Sequence, residues 1–447
     1  MSVEFQAGNE KEPEIASVPA DAPPEQRRVL VGRIRWKNTF AAFRHRNYRL
    51  FFGGQLVSLI GTWMQMVAEG WLVYQLSNSS FTLGFIRFLN TIPFTVLTLV
   101  GGAVADRMDK RRILLATQTV SMLLAFTLAG LVFSRTVKVW HVAVLAFFLG
   151  IANAFDVPAR QSFVVDMVGK EDLMNAIALN SSMFNGARVF GPALAGLLIG
   201  VVGVAGCFTL NGLSFVAVIA SYLAMRMPRA EPRKGGHASI REATVEALKF
   251  VAGNRILRTV LSLVGIVSLF GWPYSVLMPV FARDILHVGA TGYGCLMAAN
   301  GLGALLGALM LASLGGQVKR RKLVYTGVLG FSLMTFVFAL SRNVWLSAGA
   351  LACGGWFMIV FFATANTSVQ LRSPDALRGR IMGIYALCFI GLSPVGSLLA
   401  GAVARATSAP FAISAGAVIC AIAALVTMRI VPPQTASEAA AEKLAGA

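Results

Sequence analysis

The chain has 447 residues, of which 56% are hydrophobic and 13% are charged. Soluble domains carry about 25% charged residues, so this much apolar surface excludes a water-soluble fold and predicts an integral membrane protein. The net charge of +19 would suggest a nucleic-acid partner in a soluble protein. In a membrane protein, however, the basic residues must first be placed relative to the bilayer.

Residues 1–47 contain no apolar run, and their composition changes from acidic and proline-bearing to basic. Such a composition predicts a disordered cytoplasmic tail. Apolar runs long enough to cross a bilayer, about 20 residues each, then follow in twelve places. The predicted spans are 48–75, 81–105, 112–133, 138–157, 173–201, 205–226, 256–282, 291–315, 321–341, 344–368, 378–404 and 409–431.

The polar insert 227–255 divides the predicted spans into an N-terminal six-helix bundle, residues 48–226, and a C-terminal bundle, residues 256–431. Within this cytoplasmic linker, the stretch IREATVEALKFV has helical spacing, which predicts a helix lying along the membrane surface. Residues 432–447 are predicted to form a second cytoplasmic tail. The five cysteines lack CxxC spacing and predict neither a disulfide nor a metal site.

The basic residues are distributed unevenly between the two sides of the predicted bundle. With the N-terminus inside, 32 of the 39 Lys and Arg residues fall at the inner face and five at the outer face. Cytoplasmic loops carry such an excess, so both termini are predicted to be cytoplasmic. The asymmetry accounts for the net charge without a nucleic-acid partner. The other two basic residues, Arg87 and Arg188, lie inside spans.

The two bundles also repeat each other in sequence. The stretch VVDMVGKEDLMNAI before span 5 aligns with SVQLRSPDALRGRI before span 11, pairing Leu173 with Leu377 and Pro192 with Pro394. A repeat by translation gives both bundles the same topology, which is typical of transporters whose substrate site lies between two halves. Gly191, Pro192 and Pro394 are predicted to kink their helices, since proline removes a backbone hydrogen bond.

Residues 101–112, GGAVADRMDKRR, form a charged turn between spans 2 and 3. Small residues let helices approach closely, and the basic run is predicted to hold the loop in the cytoplasm. Asp156 closes span 4 at a similar depth and is predicted to meet the loop. The gating candidates are Gly102, Asp106, Arg107, Lys110, Arg111, Arg112, Asp156, Arg378 and Arg380.

Two contacts are predicted for these gating candidates. Arg107 is expected to meet Asp156. Asp106 lies at the C-terminus of its own helix, where its charge is unfavourable, so it is expected to seek the positive start of another helix. The start of span 11, near Arg378 and Arg380, is the candidate. For Lys110, Arg111 and Arg112, ordinary topological charge is the simpler interpretation.

This loop resembles the signature of the major facilitator superfamily, with Asp109 standing where a glycine is usual. The segments beginning DVPARQSFVV and LRGRIMGIYA resemble its drug, macrolide and siderophore exporter branch, which includes the enterobactin exporter. The resemblance covers nearly all of residues 40–430. It implies an all-α membrane fold of twelve transmembrane helices, in two six-helix halves related by a pseudo-two-fold repeat. It also implies that the loop latches the halves together when the cytoplasmic side is shut.

Span 1 carries a polar stripe at helical spacing, which puts its members on one helix face. Such a face is predicted to point into the bundle and away from lipid. Interhelical hydrogen bonding is one interpretation. A wall of the transport cavity is the other, and we favour it because the resemblance places span 1 beside the pathway. The stripe consists of Gln55, Ser58, Thr62, Gln65 and Glu69.

Glu69 and Arg87 lie at matching depth below the outer surface, in spans 1 and 2. Buried charges in a membrane pair with one another, so an ion pair is one interpretation. The functional hypothesis makes Glu69 a proton carrier with Arg87 beside it. This pair is therefore the candidate for proton coupling.

Arg188 falls near the midplane of span 5, and Asn185 lies on the same helix face. A charge at this depth is costly. We favour binding of an anionic or carbonyl-rich substrate, and the alternative is structural pairing with an acid or a helix C-terminus. Arg188 and Asn185 complete the substrate-cavity candidates.

The sequence offers no phosphate loop of the GxxxxGK[ST] type, so ATP is not predicted to be the direct energy source. It offers no catalytic constellation, and we predict a transporter, without a cofactor or metal. The predicted function is export of an amphipathic drug or siderophore-like molecule across a bacterial inner membrane, by alternating access and proton antiport. The predicted partners are a small-molecule substrate, protons and the lipid bilayer, and we expect a monomer. Lysophospholipid transport, or a receptor or assembly factor without flux, are the alternatives.

Overall fold

The computed structural model describes residues 40–169, 171–226, 240–313, 319–374 and 377–430, without the side chains of 240–244. Within these ranges the chain forms helices joined by short turns, and it contains no strand. The helices of the first half are α1 Arg46–Ser77, α2 Ser80–Arg107, α3 Lys110–Phe133, α4 Val139–Val168 and α5 Leu173–Ala224.

Helix α5 accounts for two membrane spans. Its 52 residues would extend about 78 Å at 1.5 Å per residue, more than twice the roughly 30 Å of a bilayer core. Gly203 interrupts the helix with φ of 72°, a left-handed conformation that glycine adopts without steric cost. The helix therefore turns back there, and residues 173–202 and 204–224 each cross once.

The described part of the polar insert contains the helix α6 Ile240–Gly253, so the helix predicted there is confirmed. The π and 3-10 turns between Val267 and Ile285 interrupt span 7, and a π turn at Leu387–Gly391 interrupts span 11. The spans of the second half are α7 Arg255–Ile285, α8 Gly289–Ser313, α9 Arg320–Leu340, α10 Val344–Arg372, α11 Arg378–Ala406 and α12 Ala409–Ile430.

Eleven helices of the described residues are long and apolar enough to cross a membrane. Because α5 crosses twice, they make twelve spans, six on each side of the insert. The all-α, twelve-span membrane fold predicted from the sequence is confirmed.

The predicted boundary of the N-terminal tail at residue 47 is wrong. Residues Ala41–Arg44 form a 3-10 turn, and α1 already begins at Arg46. The Ala42 amide donates to Asn175 Oδ1 at 2.9 Å, so the polar first turn of α5 holds this segment in place. Residues 1–39 and 432–447, the rest of the two predicted tails, lie outside the described residues.

Backbone contact between helices depends on glycine at a few positions. A methyl group on Gly101 would overlap the Ala154 carbonyl oxygen, so α2 and α4 touch there. Gly102, by contrast, faces open space. Small residues at helix interfaces are typical of membrane proteins, where close packing replaces the hydrophobic drive. Of the two glycines that open the loop, Gly101 therefore packs against α4, whereas Gly102 does not.

The two halves meet at one end of the bundle. We call the end that carries loop residues 107–112 and helix α6 the basic end, and the other the opposite end. Near the opposite end, a methyl group on Gly84 of α2 would lie 3.2 Å from the Gly401 Cα of α11. A methyl group on Gly196 of α5 would lie 2.8 Å from the Thr291 carbonyl oxygen of α8. The halves are thus sealed against each other at the opposite end.

We expect the change Gly303→Ala to destabilise the protein by about 1–3 kcal/mol, as overpacking typically does. The added methyl would overlap the Ala352 carbonyl oxygen, where α8 and α10 touch. Gly349→Ala, also on α10, adds a methyl in open space and serves as the control. The measurement is the fraction of monodisperse protein left after heating in detergent. Equal stability of the two variants would contradict the backbone contact.

Candidate functional site

Arg188 occupies the centre of the bundle, fifteen residues after α5 begins at Leu173. Its Nη2 donates to Asn300 Oδ1 of α8 at 3.0 Å, across the boundary between the halves. Its guanidinium carbon lies 6.0 Å from the centre of the Trp63 ring of α1, a cation–π distance. The structure therefore gives Arg188 an amide and an aromatic ring as neighbours.

Asn300 is held in one orientation by its surroundings. The side chain is 3% exposed, and its Nδ2 donates to the Leu351 carbonyl oxygen at 3.1 Å, which turns Oδ1 toward Arg188. The Tyr274 hydroxyl of α7 lies close enough to interact with the Asn300 side chain. We call Arg188, Asn300, Tyr274 and Trp63 the central cluster. It contains residues of both halves.

The guanidinium of Arg188 has N–H donors that bind no described residue. Arginine carries five N–H donors, and in the described part of the chain one hydrogen bond, to Asn300, uses them. Arg188 is half-buried, and no described carboxylate pairs with it. The site can therefore accept an anionic or carbonyl oxygen. Asn185, predicted beside it, instead donates to the Ser181 carbonyl oxygen at 2.9 Å, within its own helix.

The residues of the polar stripe of α1 differ in their contacts and in their exposure. Gln55 Nε2 donates to the Tyr222 hydroxyl at 2.9 Å, and Asn211 Nδ2 donates to Gln65 Oε1 at 2.6 Å. Both partners lie in residues 204–224 of α5, so these two glutamines bind the sixth span. Their placement favours interhelical hydrogen bonding over a cavity wall. Ser58 is buried as well, whereas Thr62 is exposed.

Asp156 is satisfied inside the first half. It is 4% exposed and accepts from Thr117 Oγ1 at 3.0 Å and Gln118 Nε2 at 2.7 Å on α3. Its ion pair is with Arg160 at 3.3 Å, one turn along the same helix.

The predicted contact between Asp156 and Arg107 is therefore absent. Arg107 is exposed and makes no hydrogen bond or ion pair with a described residue, since Arg160 already occupies the carboxylate. Arg160 also donates to Gln55 Oε1 at 2.9 Å. The sequence analysis counted Arg160 only among the basic residues of the inner face, although its spacing of four residues from Asp156 was a signal for a pair.

The basic run of the loop is anchored on the first half. Lys110 pairs with Asp166 at 2.6 Å, and Arg111 donates to the carbonyl oxygens of Tyr222 and Leu223 at 2.8 and 3.0 Å. These carbonyls lie at the C-terminus of α5, where a positive charge is favourable. Lys110 and Arg111 thus have structural partners beyond their contribution to topology.

The same loop ends in a helix cap and a surface pair. Asp109 caps α3, accepting from the Arg111 amide at 2.9 Å. With φ of −61°, the position does not need the glycine that is usual in the resembling family. Arg112 lies 3.9 Å from Asp109.

Asp106 does not make the contact with the start of α11 that was predicted for it. It is exposed and has no hydrogen bond or ion pair among the described residues. Arg380 pairs with Glu246 of the insert helix α6 at 3.4 Å. The latch between Asp106 and the start of α11, at Arg378 and Arg380, is therefore not formed in this conformation. It stays a prediction for the state with the basic end closed.

Glu69 and Arg87 come together near the sealed end. Each is close enough to influence the other electrostatically, but they form no direct ion pair. Arg87 Nη1 contacts Met66 Sδ at 3.8 Å instead. Tyr293 of α8 interacts with both charges, and its hydroxyl lies 3.2 Å from the position of a methyl on Gly70. Sequence reasoning missed this tyrosine of the second half.

A hydrogen bond between Tyr74 of α1 and Asp284 of α7 joins the halves at the opposite end. The Arg283 guanidinium carbon lies 5.4 Å from the centre of the Tyr74 ring. The predicted end of span 7 at residue 282 is wrong, because α7 continues to Ile285 and includes Asp284.

The predicted kink residues have different roles. A methyl on Gly191 would lie 2.8 Å from the Ile60 carbonyl oxygen, so Gly191 lets α5 pack against α1. The helix continues through Pro192. Pro394 is the second residue of the segment Ser393–Ala406, directly after the π turn of α11, and there the helix is interrupted.

Residues 37–445 match the sequence profile of a family described as transmembrane secretion effector. The chain is 28% identical over 355 residues to the multidrug efflux pump Tap of Mycolicibacterium fortuitum, covering 77% of this chain and 86% of the relative. It is 23% identical over 356 residues to the staphyloferrin A transporter of Staphylococcus aureus, covering 78% and 88%. It is 24% identical over 359 residues to the enterobactin exporter EntS of Citrobacter koseri, covering 80% and 85%.

Solved structures share the architecture at lower sequence identity. The nucleoside transporter NupG superposes with a TM-score of 0.69 at 11% identity, covering 87% of this chain and 100% of that one. A bacterial homologue of the human lysosomal transporter Spinster, in an inward-facing and unoccupied conformation, gives 0.66 at 14% identity, covering 86% and 96%. These likenesses concern the fold alone. By the match along most of its length, the chain belongs to the transmembrane secretion effector family of the major facilitator superfamily.

Proposed function

We propose that this inner-membrane protein exports amphipathic small molecules of the drug or siderophore kind, by alternating access and in exchange for protons. The relatives described above, named for multidrug efflux, staphyloferrin A transport and enterobactin export, support the substrate class. The observation that carries the proposal is the central cluster, in which Arg188 of one half bonds Asn300 of the other. A site shared by two halves is what a rocking transporter requires.

The distribution of basic residues indicates from which side the central cluster is reached. If the basic end is cytoplasmic by the positive-inside rule, the sealed end faces outward and Arg188 is approached from the cytoplasm. This is the conformation in which an exporter takes up its cargo. Transport then requires that the contacts of Gly84, Gly196 and Tyr74 part, while the basic ends close.

Glu69 is the proposed proton carrier. It is half-buried and has no direct ion pair, so its carboxylate is not committed to a fixed partner. An intramembrane acid of this kind is typical of proton pathways. Arg87 and Tyr293 lie close enough to interact with it electrostatically. Since Tyr293 belongs to the second half, its distance from Glu69 changes when the halves move, which supplies a route for coupling.

We expect Glu69→Gln to reduce proton-driven dye export by about tenfold or more, because an amide cannot carry the proton. The measurement is ethidium transport in inverted membrane vesicles, energised by a proton gradient and collapsed by a protonophore. Glu171→Gln, at an exposed glutamate, is the matched control. Wild-type coupling in Glu69→Gln would remove Glu69 from the mechanism. Absence of any gradient-driven flux from the wild-type protein, for a panel of dyes and a fluorescent lysophospholipid, would favour a receptor without transport.

We expect Asp106→Asn to shift the protein toward the state with the basic end open, by roughly fivefold in population, because it removes a charge–dipole contact of the closed state. The measurement is the spin-label distance between Met108→Cys and Ser313→Cys, with the exposed Cys295 and Cys353 replaced by alanine.

Asp166→Asn is the control for this experiment, since Asp166 pairs with Lys110 inside one half and should leave the distance unchanged. The order of preference among exported dyes should also stay the same in Asp106→Asn. A changed preference would mean that Asp106 belongs to a substrate site and not to a gate.

A further inference from the structure

The hydrogen bond between Arg188 and Asn300 differs in depth from two other hydrogen bonds that join the halves. Tyr74 bonds Asp284, and Thr291 Oγ1 donates to the Gly196 carbonyl oxygen at 2.9 Å, both at the sealed end. Arg188 lies eight residues before Gly196 on α5, or about 12 Å deeper at 1.5 Å per residue. Of these three hydrogen bonds, it is therefore the one that a molecule entering from the basic end meets first.

The partners of this bond are unequal in charge. Arg188 is a cation, and Asn300 offers it one neutral carbonyl oxygen at 3.0 Å. A bond between ionised partners is about twice as strong as a neutral one, and arginine binds a carboxylate through two parallel N–H donors. A carboxylate or similar anionic group at Arg188 would therefore compete effectively with the amide of Asn300.

Release of Asn300 leaves its amide nitrogen satisfied. Its Nδ2 still donates to the Leu351 carbonyl oxygen, and the Tyr274 hydroxyl lies beside the same side chain. Both neighbours belong to the second half. The buried amide therefore keeps a hydrogen bond when its contact with the first half breaks, which lowers the cost of breaking that contact.

The surface beside Arg188 is aromatic. The Trp63 ring lies below the guanidinium at 6.0 Å, and Phe184 of α5 meets Trp63 edge-on with ring centres 5.7 Å apart. Phe184 is exposed. A flat ring attached to the anionic group would stack against these side chains, since aromatic pairs prefer offset or edge contacts.

We propose that an aromatic anion binds Arg188 in place of Asn300, and that this exchange releases the tie between the halves and favours opening of the sealed end. The proposal rests on the export function proposed above and names its substrate class. A ligand shifts a conformational equilibrium only by binding one state better than the other. In the sealed state the anion competes with Asn300, whereas in the opened state Arg188 has lost that partner. A neutral ligand gains little from this difference.

The test uses the full chain in nanodiscs at neutral pH, with spin labels at Thr136→Cys and Arg342→Cys near the opposite end and with Cys295 and Cys353 replaced by alanine. The probes are naphthalene-2-carboxylate and its neutral analogue naphthalene-2-carboxamide. We expect the carboxylate to increase the long-distance population by about fivefold, a typical allosteric coupling, and the carboxamide to leave it unchanged.

Two variants test the exchange itself. Arg188→Gln removes the cation, and Asn300→Asp supplies Arg188 with a fixed internal carboxylate, so both should lose the response to naphthalene-2-carboxylate. Asn300→Leu removes the tie and should increase the long-distance population without any probe. Asn343→Leu, at an exposed asparagine that caps α10, is the control and should respond like the wild type.

A response to the carboxamide equal to that of the carboxylate, an undiminished response in Arg188→Gln or Asn300→Asp, or no response in the wild type would each overturn the proposal. Proton-driven ethidium export separates this failure from that of the export function. A wild-type protein that exports ethidium but ignores the carboxylate contradicts the substrate class alone. A protein that moves no dye at all contradicts both.

Discussion

A charged side chain in a membrane interior needs a partner, and the rest of this structure depends on where each partner lies. Asp156 forms an ion pair with Arg160 and accepts hydrogen bonds from Thr117 and Gln118, all inside the first half. These contacts therefore do not depend on how the two halves are placed relative to each other. Arg188 finds Asn300 in the second half, so its pairing changes whenever the halves separate. Since buried charge is costly without a partner, the first arrangement stabilises a rigid unit, whereas the second makes the central contact sensitive to what else can bind Arg188.

Residues of the loop 107–112 are bound to other helices of the first half. Arg111 holds the C-terminus of α5 through two backbone carbonyls, and Lys110 holds α4 through Asp166. The halves, by contrast, touch through small residues such as Gly84 and Gly196, which pack closely without interlocking side chains. Charged hydrogen bonds within the first half, and contacts between small residues across the two halves, are compatible with a rocking movement about a central site.

Much of the fold could be predicted from the sequence, but less of the candidate site. The twelve spans, the six-and-six division and the helix in the insert followed from apolar length and spacing. Arg188 was also recognised, because any charge at midspan is unusual. Asn300 and Tyr274 were missed, since an amide or a phenol in an apolar helix carries no comparable signal. Asp284 was missed because hydropathy ended span 7 before the helix itself ends at Ile285.

The sequence by itself determined the membrane class, the span count and the resemblance of residues 101–112 to a superfamily signature, since these are local properties of composition and order along the chain. Only the tertiary structure decided the partners: Gln55 with Tyr222, Asp156 with Arg160 and Arg188 with Asn300. The reason is geometric. Spacing defines which residues share a helix face, but the neighbour that this face meets depends on how the helices rotate, tilt and cross when they pack.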